Sequence, residues 1–133
     1  MDQDQLIALA IEARSKAYTP YSRFAVGAAL LAKSGRTYTG SNVENASYGL
    51  TVCAERVAVF KAVSEGERDF SAIAVVTENG VAPCGACRQV LIEFGGDIQV
   101  IVADAAGRVH QVCTVEELIP CYFTPDDLPS KGE

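Results

Sequence analysis

The stretch Cys53-Ala54-Glu55, together with Pro83-Cys84-Gly85-Ala86-Cys87 further along, makes the strongest demand on the fold, because its three cysteines can hold one zinc ion between them. A fourth cysteine would close a structural zinc knot, whereas catalytic zinc keeps three protein ligands and leaves one position to water. Zinc lowers the pKa of such a water toward neutrality and so makes a hydroxide nucleophile available at physiological pH. Glu55, two residues from Cys53, is then placed to shuttle protons rather than to bind metal. The pattern reads as hydrolytic chemistry. Cys113 and Cys121 sit in apolar contexts with no partnering motif and read as small packing residues.

Both motifs open predicted helices. Cys53–Ser64 places Val57, Phe60, Ala62 and Val63 at helical spacing, with Gly66 as a stop. Cys84–Phe94 does the same, with Pro83 before its first turn and Gly95-Gly96 after its last. Free backbone N–H groups and the positive end of the helix dipole favour thiolate over thiol at such positions. Cys84 and Cys87, three apart, share one face of a first turn. Three thiolates on one zinc leave an excess negative charge that blunts its Lewis acidity. Arg56 or Arg88 could offset that excess by hydrogen bonds to a thiolate, although Arg88 also reads as a solvated helix arginine.

The remaining pattern predicts an α/β domain. Asp4–Ala17 carries Leu6, Leu9, Ala10, Ala13 and Ala17 on one helical face. Ala25–Ala32 and Thr37–Asn42 pair across Lys33-Ser34-Gly35-Arg36 as a hairpin. The Cys53 helix leads to strand Ala72–Thr77 and the Cys84 helix to strand Ile98–Ala103, which implies adjacent parallel strands. Asp104-Ala105-Ala106-Gly107 turns back into Val109–Cys113, and Thr114 caps a short helix with Glu116 and Glu117 in its first turn. The sum is a five-stranded mixed sheet with helices on both faces and an antiparallel final hairpin. The chain reads as a single domain over residues 1–128 with a flexible tail at 129–133.

With 133 residues, 49% of them hydrophobic, the chain can bury one good core. A net charge of −6, with the Lys and Arg residues unclustered, argues against a polynucleotide partner, which would need a basic groove. Met1-Asp2-Gln3-Asp4-Gln5 is polar and acidic rather than a signal peptide, and no apolar run approaches a membrane span. Free metal-binding cysteines in a leaderless chain point to a reducing cytoplasm.

Four stretches carry a resemblance: Tyr21-Ser22-Arg23-Phe24-Ala25-Val26-Gly27-Ala28-Ala29-Leu30, Gly40-Ser41-Asn42-Val43-Glu44-Asn45-Ala46-Ser47-Tyr48, Cys53-Ala54-Glu55-Arg56, and Pro83-Cys84-Gly85-Ala86-Cys87-Arg88-Gln89-Val90-Leu91. In order and spacing the chain resembles the free-nucleoside cytidine deaminases of the short, homotetrameric, all-cysteine type, from about residue 5 to residue 128. Cys53 replaces the histidine of the commoner H-x-E form. The antiparallel last strand is similar to that of nucleoside deaminases, whereas polynucleotide-editing relatives run it parallel. The resemblance implies a three-layer α/β/α fold and zinc-dependent deamination of cytidine and 2′-deoxycytidine to uridine and 2′-deoxyuridine, a step of pyrimidine salvage.

It also implies residue roles. Cys53, Cys84 and Cys87 hold one zinc per subunit, Glu55 is the proton shuttle, and Arg56 hydrogen-bonds the ligating thiolates. Phe24 packs against the pyrimidine, and Asn42 and Glu44 hydrogen-bond the ribose hydroxyl, with Asn42-Val43-Glu44 as one pocket wall. Phe123 reaches into a neighbouring subunit's pocket in a homotetramer with shared sites, with Tyr122 as the competing residue. An amide paired with a carboxylate satisfies a hydroxyl's donor and acceptor alike, and residues two apart in an extended segment point to one side.

Three other readings stay open on sequence: a structural Cys3His zinc module closed by His110, a binding protein without turnover, and a deaminase of antibiotic nucleosides. Intact Glu55 speaks against the second. Phe24, the Asn42-x-Glu44 pair and Ala46-Ser47-Tyr48 favour plain cytidine over the third.

Overall fold

The computed structural model describes residues 1–129; residues 130–133, most of the expected tail, lie outside the described part. The elements run α1 (Gln3–Arg14), β1 (Gly27–Ala32), β2 (Thr37–Ser41), α2 (Ala54–Ser64), β3 (Phe70–Thr77), α3 (Gly85–Ile92), β4 (Gln99–Asp104), β5 (Val109–Thr114) and α4 (Val115–Leu118). The strands form one five-stranded sheet in the order β2-β1-β3-β4-β5. Among the described strands of the sheet only the β3–β4 pair is parallel; β1 pairs antiparallel with both β2 and β3, and β5 returns antiparallel to β4. The expected mixed sheet and final hairpin are therefore present, and β3–α3–β4 is the βαβ unit.

Burial on both faces makes three layers. Leu6, Ile7 and Ala10 of α1 cover Ala29, Ala74 and Ile101 on one face. On the other, Ala58, Val59 and Ala62 of α2 and Leu91 of α3 share a cluster with Ile73 and Val100. Strand β3 is buried on both sides, which is why its sequence is an almost unbroken apolar run rather than an alternation.

Several boundaries shift for identifiable reasons. Helix α1 opens with an Asp2–Gln5 capping box but ends at Arg14, short of the expected Ala17. Beyond it the Tyr18 N–H donates to the Asn42 carbonyl and draws the chain toward Val43. Strand β1 begins at Gly27 rather than Ala25; the 24–26 backbone before it is held largely by side chains, Asn42 on the Phe24 carbonyl and the Val26 N–H and Arg14 on the Ala25 carbonyl. The apolar face expected for α2 is also turned. Its contact side is Ala54, Ala58, Val59 and Ala62, while Phe60 stays 50% exposed. Small residues let α2 lie close on β2. A Cβ on Gly40 would stand 2.4 Å from the Ala54 carbonyl oxygen, so only glycine permits this approach. That contact fixes the first turn of α2, and with it Cys53 and Glu55.

Candidate active site: a three-cysteine centre beside a buried acid

Cys53 is the N-cap of α2, Cys84 is the N-cap of α3, and Cys87 lies in the first turn of α3. Neither cap sulfur is taken up in a capping bond to the backbone N–H groups of its own helix, so both are free to face each other. The sulfurs of Cys53 and Cys84 are 3.7 Å apart, those of Cys84 and Cys87 3.5 Å, and all three lie within 4.8 Å of one another. Tetrahedral zinc with Zn–S bonds of about 2.3 Å sets its sulfurs about 3.8 Å apart. The cluster fits one zinc ion per chain.

The electrostatics agree. The Cys53 thiol is pulled down to about 5, first by its hydrogen bond from Cys87 and further by Arg56, against the opposing effect of burial. That same bond, with burial, pushes Cys87 well above the ordinary thiol range. Without metal, negative charge on this pair is favoured at Cys53 over Cys87. Arg56 donates from Nη2 to Cys53 Sγ at 3.4 Å, and its buried Nε has no hydrogen-bond partner among the described residues. A buried guanidinium donor unspent beside the cluster suits a centre whose sulfurs all become thiolate acceptors when metal displaces their protons. Arg88 does something else: Nε donates to the Pro83 carbonyl at 2.8 Å and Nη1 to the Leu118 carbonyl at 2.7 Å. It clamps the α3 entry to α4 and leaves the thiolates to Arg56.

Glu55, 4% exposed, stands in the first turn of α2 against the cluster. Burial first, and then the Cys53 charge, raise its carboxyl to about 7. An acid titrating near neutrality can both take and return a proton.

These groups share a cavity of about 330 Å³ whose lining includes Phe24, Asn42, Glu44, Cys53, Glu55 and Cys84. That volume lies at the small end of ligand sites, roughly 300–1,000 Å³. The cavity opens at the carboxyl end of β3, where ligands of parallel sheets usually bind. Asn42 is nearly buried; its Oδ1 accepts from Val26 N–H and its Nδ2 donates to the Phe24 carbonyl, both at 2.9 Å. It therefore positions Phe24 as well as lining the cavity. The Glu44 carboxylate accepts from the N–H groups of Tyr21 and Ser22 and from the Ser22 hydroxyl. The Ser22 hydroxyl is the first cause holding Glu44 below the usual carboxylate range, so it stays ionised.

Val43 turns away from this cavity, and Phe123, expected at a neighbouring subunit's pocket, lies on the surface. Val43 shares the extended segment, but alternation turns its side chain to an apolar groove with Val52, Val57 and Phe60. Phe123 lies outside the cavity, 54% exposed, its carbonyl accepting from Gln89 Nε2 at 2.8 Å. Tyr122 packs against the core instead. His110 is not part of the centre: its Nε2 lies 2.8 Å from Asp104 Oδ2 in the β4–β5 hairpin. The Cys3His module has no structural basis. Sequence reading missed Thr51, Thr77, Val81 and Ala82 among the lining residues. Of these only Thr77 carried a signal, a polar residue closing an apolar strand just before Asn79-Gly80.

An α/β/α sheet carrying three cysteines and a buried acid at two helix N-termini is the framework of a zinc-dependent hydrolase. Residues 1–104 match the model of the cytidine and deoxycytidylate deaminase zinc-binding region. The chain belongs to the cytidine and deoxycytidylate deaminase family. It is 56% identical to a cytidine deaminase of Halalkalibacterium halodurans, over 96% of this chain and 98% of that protein. A cytidine deaminase of Sporosarcina psychrophila is 51% identical over 100% of this chain and 99% of its own length. The crystal structure of cytidine deaminase from Burkholderia pseudomallei superposes with a TM-score of 0.89 at 50% identity, covering 92% of this chain and 100% of that one.

Proposed function

We propose that this protein deaminates cytidine and 2′-deoxycytidine hydrolytically to uridine and 2′-deoxyuridine with release of ammonia, as part of pyrimidine salvage in the cytoplasm. The observation that carries the reading is the buried Glu55 carboxyl, raised to about 7, beside three convergent cysteines on the floor of a nucleoside-sized cavity. The binding-only reading fails to account for an acid held at that protonation balance.

Zinc held by Cys53, Cys84 and Cys87 supplies the Lewis acidity that makes water nucleophilic near neutral pH. Glu55 accepts a proton from the attacking water as its oxygen bonds to C4, and delivers it to N3. Glu55 then moves the remaining hydroxyl proton to the 4-amino group, the C4–N bond breaks, and the oxygen becomes the C4 carbonyl. Phe24 stacks on the base, a contact worth about 1–3 kcal/mol, and serves binding more than chemistry. The Asn42–Glu44 segment takes the ribose hydroxyl. Ionised Glu44 is an acceptor already oriented by Ser22, and Val43 contributes backbone only. Purified protein is expected to convert cytidine to uridine, monitored by ultraviolet absorbance, with turnover lost on chelation and restored by zinc. No turnover in a zinc-loaded sample would sink this reading.

The same proposal includes a homotetramer with shared sites. Exposed Tyr48, Leu50, Phe60 and Phe123 support it, as does the apolar groove along α2. Exposed Phe123, rather than core-packed Tyr122, is the residue free to enter a neighbour's pocket. Phe60→Glu is expected to turn a tetramer into smaller species in light scattering at micromolar concentration. A Phe60→Glu protein that stays tetrameric would remove the α2 groove from the interface. Among the described residues no helix is long and apolar enough to cross a membrane.

A further inference from the structure

Strand β3 ends on Thr77, whose side chain is 2% exposed and lines the cavity floor. Its Oγ1 accepts the N–H of Gly80 and the N–H of Val81, each at 2.9 Å. Those two bonds occupy both acceptor positions of the hydroxyl and close Glu78–Gly80 into a tight turn. The chain leaves that turn as Val81 and Ala82, which wall the cavity, and then as Pro83 and the ligand Cys84.

The turn is also held from outside. Gly80 has φ +72°, and a Cβ there would stand 2.6 Å from the His110 ring. The ring is fixed in turn by Asp104 at 2.8 Å. So the turn is gripped between a buried hydroxyl within and an imidazole without. Neither Thr77 nor His110 belongs to the cysteine motifs or to the Asn42-x-Glu44 segment.

We infer that Thr77 is a positioning residue for nucleoside binding, setting the Val81–Ala82 wall of the pocket, and that the Asp104–His110 pair backs the same turn. The inference rests on the deaminase reading. In substrate terms it assigns the wall to binding and leaves the chemistry to Glu55. Thr77→Val keeps the shape and deletes both acceptor positions; Thr77→Ser keeps them.

The test is steady-state kinetics on cytidine, with zinc content, for wild type, Thr77→Val, Thr77→Ser and His110→Ala. Loss of two modest hydrogen bonds gives an expected rise in KM of about tenfold for Thr77→Val, with kcat within about threefold and one zinc retained. Thr77→Ser is expected within about twofold of wild type, and His110→Ala to raise KM by about threefold at unchanged kcat. An unchanged KM in Thr77→Val, or a Thr77→Ser protein as impaired as Thr77→Val, overturns the inference. Should Thr77→Val fail to fold, exposed His110→Ala decides alone: an unchanged KM overturns the inference and a raised KM upholds it. A zinc-loaded wild type without turnover is a different result, because it removes the deaminase reading and this inference with it.

Discussion

Replacing Glu55 with glutamine is expected to lower kcat by about 10³-fold or more while zinc remains at one per chain. Proton transfer by one positioned group is typically worth about 10²–10⁴-fold, and here a single carboxyl handles every transfer of the reaction. Glutamine fills the same space and leaves the three cysteines untouched, so the loss isolates proton movement from metal binding. A Glu55→Gln protein with near-native turnover would overturn the assignment.

The same substitution has a second, opposite effect. In the metal-free protein burial raises the Glu55 carboxyl from 4.5 to about 7. Folded and unfolded chains are both protonated below the lower value. Between the two values the unfolded chain ionises first, so stability falls as pH rises and reaches its full loss above about 7. At about 1.4 kcal/mol per unit, the penalty is on the order of 3–4 kcal/mol. Glutamine carries no charge and escapes it. Chemical denaturation after chelation is expected to find Glu55→Gln more stable than wild type at pH 8 and equal to it near pH 4. Equal stability at both would mean that the carboxyl is not raised. Function here opposes stability: the fold holds an acid where an amide would sit more comfortably.

The metal centre was legible because its ligands depend on local spacing. Two helix N-termini carrying cysteines are visible as sequence, and Gly40, facing the small residues of α2, leaves room for the close approach that aims Cys53. The sheet was legible for a similar reason, since β3 reads as a strand buried on both faces. What sequence could not give was direction within an element. Phe60 looks like core by hydrophobicity, yet the small side chains of α2 take the contact side and leave the ring outside. Val43 and Asn42 sit side by side, but alternation sends one to an apolar groove and the other to the cavity. Arg56 and Arg88 each follow a cysteine motif. Only the three-dimensional path shows that Arg88 spends its donors on the Pro83 and Leu118 carbonyls. Thr77 is the clearest case of a role hidden from sequence, since its importance lies in two N–H groups beyond it rather than in any motif.

Cys87→Ala is expected to abolish zinc binding and turnover together. Cys87 is fully buried in the first turn of α3 and supplies one of only three sulfurs. Two thiolates and a water make a much weaker site, and zinc content after dialysis is expected below about a tenth of wild type, since ligand loss costs more than the 10–100-fold of a supporting residue. Zinc that binds only the folded chain stabilises it by RT ln(1 + c/Kd), with c the free zinc concentration. Chelation should therefore lower the melting temperature of wild type and leave that of Cys87→Ala unmoved. Cys113→Ala and Cys121→Ala provide the contrast, since neither sulfur joins the cluster and both variants are expected to keep one zinc and full chelator sensitivity. Normal zinc and turnover in Cys87→Ala would place the metal elsewhere. Zinc loss in Cys113→Ala would show that a core thiol matters to the centre in a way the geometry does not provide. The expected pattern, one cysteine decisive and two dispensable, ties the reaction to the junction of α2 and α3 rather than to cysteine content.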